Sequence, residues 1–202
     1  MARDAYRFLI PLLAAAVIAG VLGKFWVLGL LAVPTGFVAW FFRDPERKVP
    51  EDPDAVVSPA DGKVIEITED ESGQRIGIFL SVFDVHVNRA PWGGTILKQD
   101  YRRGRFLLAF DERASVENEQ LTYTVGNGRA LSFSLVAGVL ARRIVAYKHR
   151  GEVIQKGDRI ALIRFGSRVN VWLPSGCRSL VGKGDRVLGG ETIIARWNAE
   201  GA

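Results

Sequence analysis

Sulfur and imidazole are scarce in this chain. Cys177 is the only cysteine, and His86 and His149 are the only histidines among 202 residues. One cysteine excludes an intrachain disulfide and a cysteine-held metal cluster, and two histidines are too few for a histidine-rich metal centre. No zinc-finger, basic-zipper or RNP-type pattern is present. The basic balance, net charge +5 with pI ≈ 9.6, therefore points away from nucleic acid and toward anionic lipid. Charge is also nearly missing from one long stretch. Phe8 to Gly23 and Phe25 to Phe42 are apolar, with Lys24 the only charge between them.

That stretch sets the first expectation. As one straight helix it would run about 52 Å at roughly 1.5 Å per residue, against a hydrocarbon core about 30 Å thick. Two short spans joined near Gly23-Lys24 fit better than one perpendicular span, as does a tilted or broken helix with Pro11 and Pro34 as places to break. Arg3 and Arg7 precede the block, and Arg43, Arg47 and Lys48 follow it. The positive-inside rule places both flanks in the cytoplasm, which a hairpin satisfies. The expected organisation is a membrane anchor over 1–42, spanning or re-entrant, and a cytoplasmic domain over 43–202. A cleaved signal peptide and a buried soluble helical hairpin are the alternatives.

The rest reads as β. Short β-prone runs, at 56–57, 63–67, 75–82, 121–125, 130–135, 143–148, 159–165, 168–173 and 192–197, alternate with glycine, proline and charged turns. Gly126-Asn127-Gly128 is a hairpin signal. Helix is expected only near 111–118 and 137–142. A weak repeat pairs Val153-Ile154-Gln155-Lys156-Gly157-Asp158-Arg159-Ile160 with Leu180-Val181-Gly182-Lys183-Gly184-Asp185-Arg186-Val187. Such pairs suit a barrel-sandwich, lipoyl-like fold, although two ordinary turns would look the same. No lysine lies in a lipoyl or biotin attachment context, so the repeat speaks to fold and not to a cofactor.

Phe165-Gly166-Ser167 is the stretch that carries chemistry. A Gly-Ser step is ordinarily a turn. At a tight strand bend it has a second capacity. The serine hydroxyl attacks the glycine carbonyl, an N-to-O acyl shift makes an ester, and elimination cuts the chain. The serine residue is left as a terminal pyruvoyl group, a built-in electrophile.

Three further stretches precede it. Phe41-Phe42-Arg43-Asp44-Pro45-Glu46-Arg47 follows the apolar block, then Ser58-Pro59-Ala60-Asp61-Gly62-Lys63-Val64, then Phe79-Leu80-Ser81-Val82-Phe83-Asp84-Val85-His86-Val87-Asn88-Arg89-Ala90-Pro91. Ala141-Arg142-Arg143-Ile144 then leads to Ile163-Arg164-Phe165-Gly166-Ser167-Arg168-Val169. In this order they resemble the phosphatidylserine decarboxylase family, in its short bacterial and archaeal form. The resemblance implies a proenzyme cut between Gly166 and Ser167 into a 1–166 β chain and a 167–202 α chain, which stay together as a heterodimer, with a dimer of these as a further option. It implies a covalent pyruvoyl cofactor made from Ser167 and no metal. It implies a Schiff base between that group and the substrate amine, and conversion of phosphatidylserine to phosphatidylethanolamine at the cell membrane.

The resemblance also nominates residues. His86 is the general base and Asp61 supports catalysis, unless Asp61 is only a turn former. Many members carry a second histidine three positions after the first, where this chain has Arg89. Arginine stays protonated and is no ordinary base, so the division of roles among Asp61, His86 and Arg89 is open. Arg89, Arg142, Arg143, Arg164 and Arg168 are candidates for binding the headgroup phosphate and carboxylate. Asn118-Glu119 matches a family stretch without an assigned role, and His149 reads as a solvated turn residue. The other functions considered are archaetidylserine decarboxylation, a pyruvoyl decarboxylase of a small soluble substrate, and a non-enzymatic, membrane-tethered lipoyl-like binding module.

Overall fold

The computed structural model describes residues 1–70, 73–105, 107, 117–138, 143–163 and 167–198. It divides into two units, Met1–Glu46 and Arg47–Ala202, so the division falls four residues beyond the expected 42/43.

In the first unit a single 3-10 turn, Arg3–Ala5, leads into α1 (Tyr6–Val21), and α2 (Phe25–Phe41) follows. The sequence offered Pro11 and Pro34 as breaks, yet both sit inside their helices. The break falls at Gly23, with φ of 69°. Gly23 N donates to Gly20 O at 3.0 Å and Lys24 N to Ala19 O at 2.8 Å. That pair of bonds satisfies the last carbonyls of α1 around a left-handed residue that only glycine adopts cheaply. Arg3–Val21 is long and apolar enough, by length and composition, to cross a membrane, whereas Phe25–Phe41 is apolar but shorter.

The second unit is β. Its strands are β1 (Ala55–Val57), β2 (Gly62–Asp70), β3 (Gly73–Leu80), β4 (Val87–Arg89), β5 (Gly94–Arg102), β6 (Gln120–Asn127), β7 (Arg129–Ala137), β8 (Ile144–Ala146), β9 (Val153–Ile154), β10 (Arg159–Ile163), β11 (Ser167–Pro174), β12 (Cys177–Ser179), β13 (Arg186–Val187) and β14 (Ile193–Trp197). They form one large sheet, β13-β2-β3-β11-β7-β6-β5-β9, and two small ones, β1-β14-β12 and β4-β10-β8. All the strand pairs are antiparallel. The inner face of the large sheet supplies Val64, Ile76, Ile78, Leu121, Tyr123, Phe133, Leu135, Val169 and Val171 to one core, joined by Ile160 and Ile194 from the small sheets.

Two expectations need correcting. The strand at 94–102 was not anticipated, because the β5–β6 register shifts between Ile96 and Lys98 and a bulge destroys the alternation that marks a strand. Ala137, expected to open a helix, ends β7. Most of the helical proposals, 111–116 and 139–142, lie outside the described residues.

The internal repeat is real at the level of hydrogen bonds. In the first turn Asp158 Oδ2 accepts Gln155 N at 2.8 Å, and in the second Asp185 Oδ2 accepts Gly182 N at 2.7 Å. Gly157 N donates to Ala90 O and Ala90 N to Asp158 O; likewise Gly184 N donates to Val64 O and Val64 N to Asp185 O. Each Lys-Gly-Asp turn thus docks on one residue, Ala90 after β4 or Val64 in β2. Those are the segments that carry Arg89 and Asp61-Gly62.

Candidate active site

Ser167 opens β11, flanked in register by Leu80 at the end of β3 and Ala137 at the end of β7. Residues directly opposite share a face, so Ser167 points to the core side of the sheet. It is fully buried, and its hydroxyl has no hydrogen-bond partner among the described residues. A buried hydroxyl without a partner costs free energy. Gly166 and Arg164 lie outside the described residues, as does Arg142.

His86 reaches the same region by way of β10. Ile163 N, at the end of that strand, donates to His86 O at 3.2 Å. Only three positions separate Ile163, in a small sheet, from Ser167, in the large one. The His86 ring is fully buried, and its Nδ1 lies 2.9 Å from Asp84 O. A carbonyl only accepts, so Nδ1 carries the proton and the neutral ring keeps an acceptor lone pair on Nε2. Asp84 is itself fixed: its Oδ2 accepts Ser81 N at 2.8 Å and Ser81 Oγ at 2.7 Å, and its Oδ1 accepts Arg186 Nη1 at 3.1 Å.

Asp61 is held by a partner that the sequence reading did not single out. Arg47 Nη2 donates to Oδ1 at 2.9 Å and to Oδ2 at 2.8 Å, and Gly189 N donates to Oδ1 at 2.8 Å. Both side chains are about nine-tenths buried or more. The signal was present, since Arg47 closes the Phe41–Arg47 motif. Arg89 enters the same neighbourhood. Its backbone N donates to Pro59 O, and its Nη1 to Gly157 O at 3.0 Å. Gly190, with φ of 80°, makes room for it, because a Cβ there would stand 2.7 Å from Arg89 Cδ and 3.6 Å from Arg47 Cβ. Asp61, Arg47 and Arg89 are thus brought together around the 189–190 turn.

The remaining candidates separate. Arg143 is exposed next to β8. Arg168 is turned away: strand alternation puts it on the face opposite Ser167, where its guanidinium pairs with Glu66 and Asn170. That removes it from the headgroup-binding set. Asn118, left without a role by sequence, ties the end of β7 to Leu107. Its Nδ2 donates to Ala137 O at 2.7 Å and to Leu107 O at 2.9 Å, while its Oδ1 accepts Leu107 N at 2.8 Å. It therefore fixes the residue that flanks Ser167 on the β7 side. Burial pushes the Cys177 thiol up to about 12, which makes it a poor competing nucleophile. No group of three or more His, Cys, Asp or Glu among the described residues is arranged to hold a metal.

The phosphatidylserine decarboxylase family profile matches residues 35–195, which takes in every residue of this constellation. The chain is 45% identical to a phosphatidylserine decarboxylase proenzyme of Symbiobacterium thermophilum, over 97% of this chain and 95% of that protein. It is 46% identical to one of Solibacter usitatus, over 91% and 89%, and 42% identical to one of Geobacter sp. strain M21, over 96% and 95%. A profile covering most of the chain, and relatives this similar across nearly all of it, identify the chain as a member of the phosphatidylserine decarboxylase family.

Proposed function

We propose that this chain decarboxylates phosphatidylserine to phosphatidylethanolamine after breaking its own Gly166–Ser167 bond. The observation that carries the reading is the buried Ser167 hydroxyl, without a partner among the described residues, four residues from a strand end bonded to His86. A free hydroxyl is what nucleophilic attack on the preceding carbonyl requires, and it fits a serine that becomes the pyruvoyl source. His86 Nε2 takes the hydroxyl proton, the acyl group moves from nitrogen to oxygen, and loss of the Cα proton expels Gly166 as a carboxylate. Water then replaces the nitrogen of the residual enamine, which leaves as ammonia.

The pyruvoyl carbonyl supplies an electron sink for the pair released when carbon dioxide departs from the substrate. Around it this chain's residues bind and orient. His86 moves protons through Nε2. Asp61 fixes the 59–62 turn through Arg47 and Gly189, and Arg89 supplies a cation for a headgroup that carries both a phosphate and a carboxylate. The apolar segments over 1–42 hold the domain at the cytoplasmic face of the membrane as a hairpin, and the two cut chains stay together as a heterodimer. The paired Lys-Gly-Asp turns favour the barrel-sandwich arrangement for the β unit.

Intact mass spectrometry of purified protein tests the reading. Two chains, 1–166 and 167–202, are expected, the second starting with pyruvate. Ser167→Ala should give one unbroken chain without turnover; normal cleavage in that variant removes Ser167 as the source.

A further inference from the structure

We propose that Arg168 is a positioning residue for the chain end that cleavage creates. It reaches across β3 to Glu66 on β2 and so pins the start of β11. The inference rests on the self-cleavage reading above. Arginine is almost never fully buried unless it is paired, and Arg168 is only 1% exposed. Its Nε donates to Asn170 Oδ1 at 2.6 Å. Its Nη2 pairs with one oxygen of Glu66, whose other oxygen takes Arg75 Nη2.

The contact skips a strand, and two local features make that possible. The β2–β3 register shifts between Val64 and Glu66, which sets Glu66 opposite Gly77; a bulge re-aims a side chain in this way. Gly77 is also opposite Asn170, so the guanidinium lies over a residue without a side chain. A Cβ at Gly77 would stand 2.6 Å from Arg168 Nη2. Burial alone would raise the Glu66 pKa. The hydrogen bond and charge of Arg168, with those of Arg75, outweigh burial and hold it below its ordinary 4.5. The clamp stays charged through the neutral range and is lost only as pH falls through that lowered value.

A buried ion pair is weak evidence of stabilisation, and its best use is to fix geometry. Before the cut, residue 168 is tethered from both sides. Afterwards it is second from a chain end, and chain ends fray unless tied down. The clamp therefore matters most in the mature protein, and its loss should spare cleavage while damaging turnover.

Full-length Arg168→Met and Glu66→Gln, in detergent, test this against wild type. Four quantities are measured: the time course of cleavage on a denaturing gel, carbonyl content by hydrazide labelling, kcat and KM on phosphatidylserine micelles, and amide exchange at 168–170. Cleavage within about threefold of wild type and nearly one carbonyl per chain are expected. The expected kcat falls about tenfold or more, in line with the cost of small misplacements at a reacting centre, with KM little changed. Exchange at 168–170 should quicken in the cut variants and stay near wild type when Ser167→Ala keeps the same variants whole. Cleavage and turnover falling by one factor, or unchanged kcat, overturns the proposal. If Arg168→Met does not accumulate, Glu66→Gln decides alone. A wild-type chain that stays whole and carbonyl-free overturns the cleavage reading and this inference with it. A cut wild type whose variants keep full turnover overturns only the clamp.

Discussion

At the residue scale, His86 is defined by what its ring is bonded to. Asp84 O holds a proton on Nδ1, so in a neutral ring the acceptor nitrogen is Nε2. His86→Ala removes that acceptor. Positioned general bases contribute about 10²–10⁴-fold, so cleavage of the His86→Ala chain should slow by about 100-fold or more on a denaturing-gel time course. A wild-type rate there would leave the serine without this base. His86 was legible in the sequence because imidazole is so rare in this chain and lies within a family motif. Arg47 was not, since nothing local shows that a residue fourteen positions upstream of Asp61 covers both its carboxylate oxygens. Arg168 was misread for a related reason: its nearness to Ser167 along the chain suggested a shared site, but one step along a strand reverses the face.

At the element scale, the strands that read clearly from the sequence are those with unbroken alternation or a glycine-marked turn. Leu131, Phe133 and Leu135 face the core while Ser132 and Ser134 lie on the opposite face of the strand, and Asn127 pairs with Arg129 around Gly128 at φ of 70°. The bulged β5 did not read, because the extra residue, Leu97, breaks its own alternation. The two Lys-Gly-Asp turns allow a comparison. Gly157 and Gly184 have φ of 85° and 105°, so alanine at either pays for a left-handed residue, about 1–2 kcal/mol. Only at Gly157 does the new Cβ collide with the Val49 side chain; at Gly184 nothing is near. Gly157→Ala should therefore be the more destabilising, by a further 1–3 kcal/mol or so from overpacking. Equal losses in urea unfolding would show that Val49 simply moves aside.

At the scale of the whole molecule, the question is which force would hold a basic chain with an apolar helix long enough to cross a membrane to a bilayer. Two forces are available, and salt separates them. Surface attraction between a chain of net charge +5 and anionic lipid is screened within about 3 Å at 1 M ionic strength. Burial of apolar helix is not weakened by salt. α1 and α2 carry exposed Ile10, Leu13, Val17, Val21, Phe25, Trp26, Leu30 and Val33, a surface that water solvates poorly and hydrocarbon accommodates. If the helices enter the bilayer, washed membranes should keep the full chain through 1 M salt and release it only with detergent. A version lacking residues 1–46, which retains Arg47 for Asp61, should bind anionic vesicles weakly and detach as salt rises. Release of the full chain by salt alone would mean that charge, not the apolar segments, does the holding.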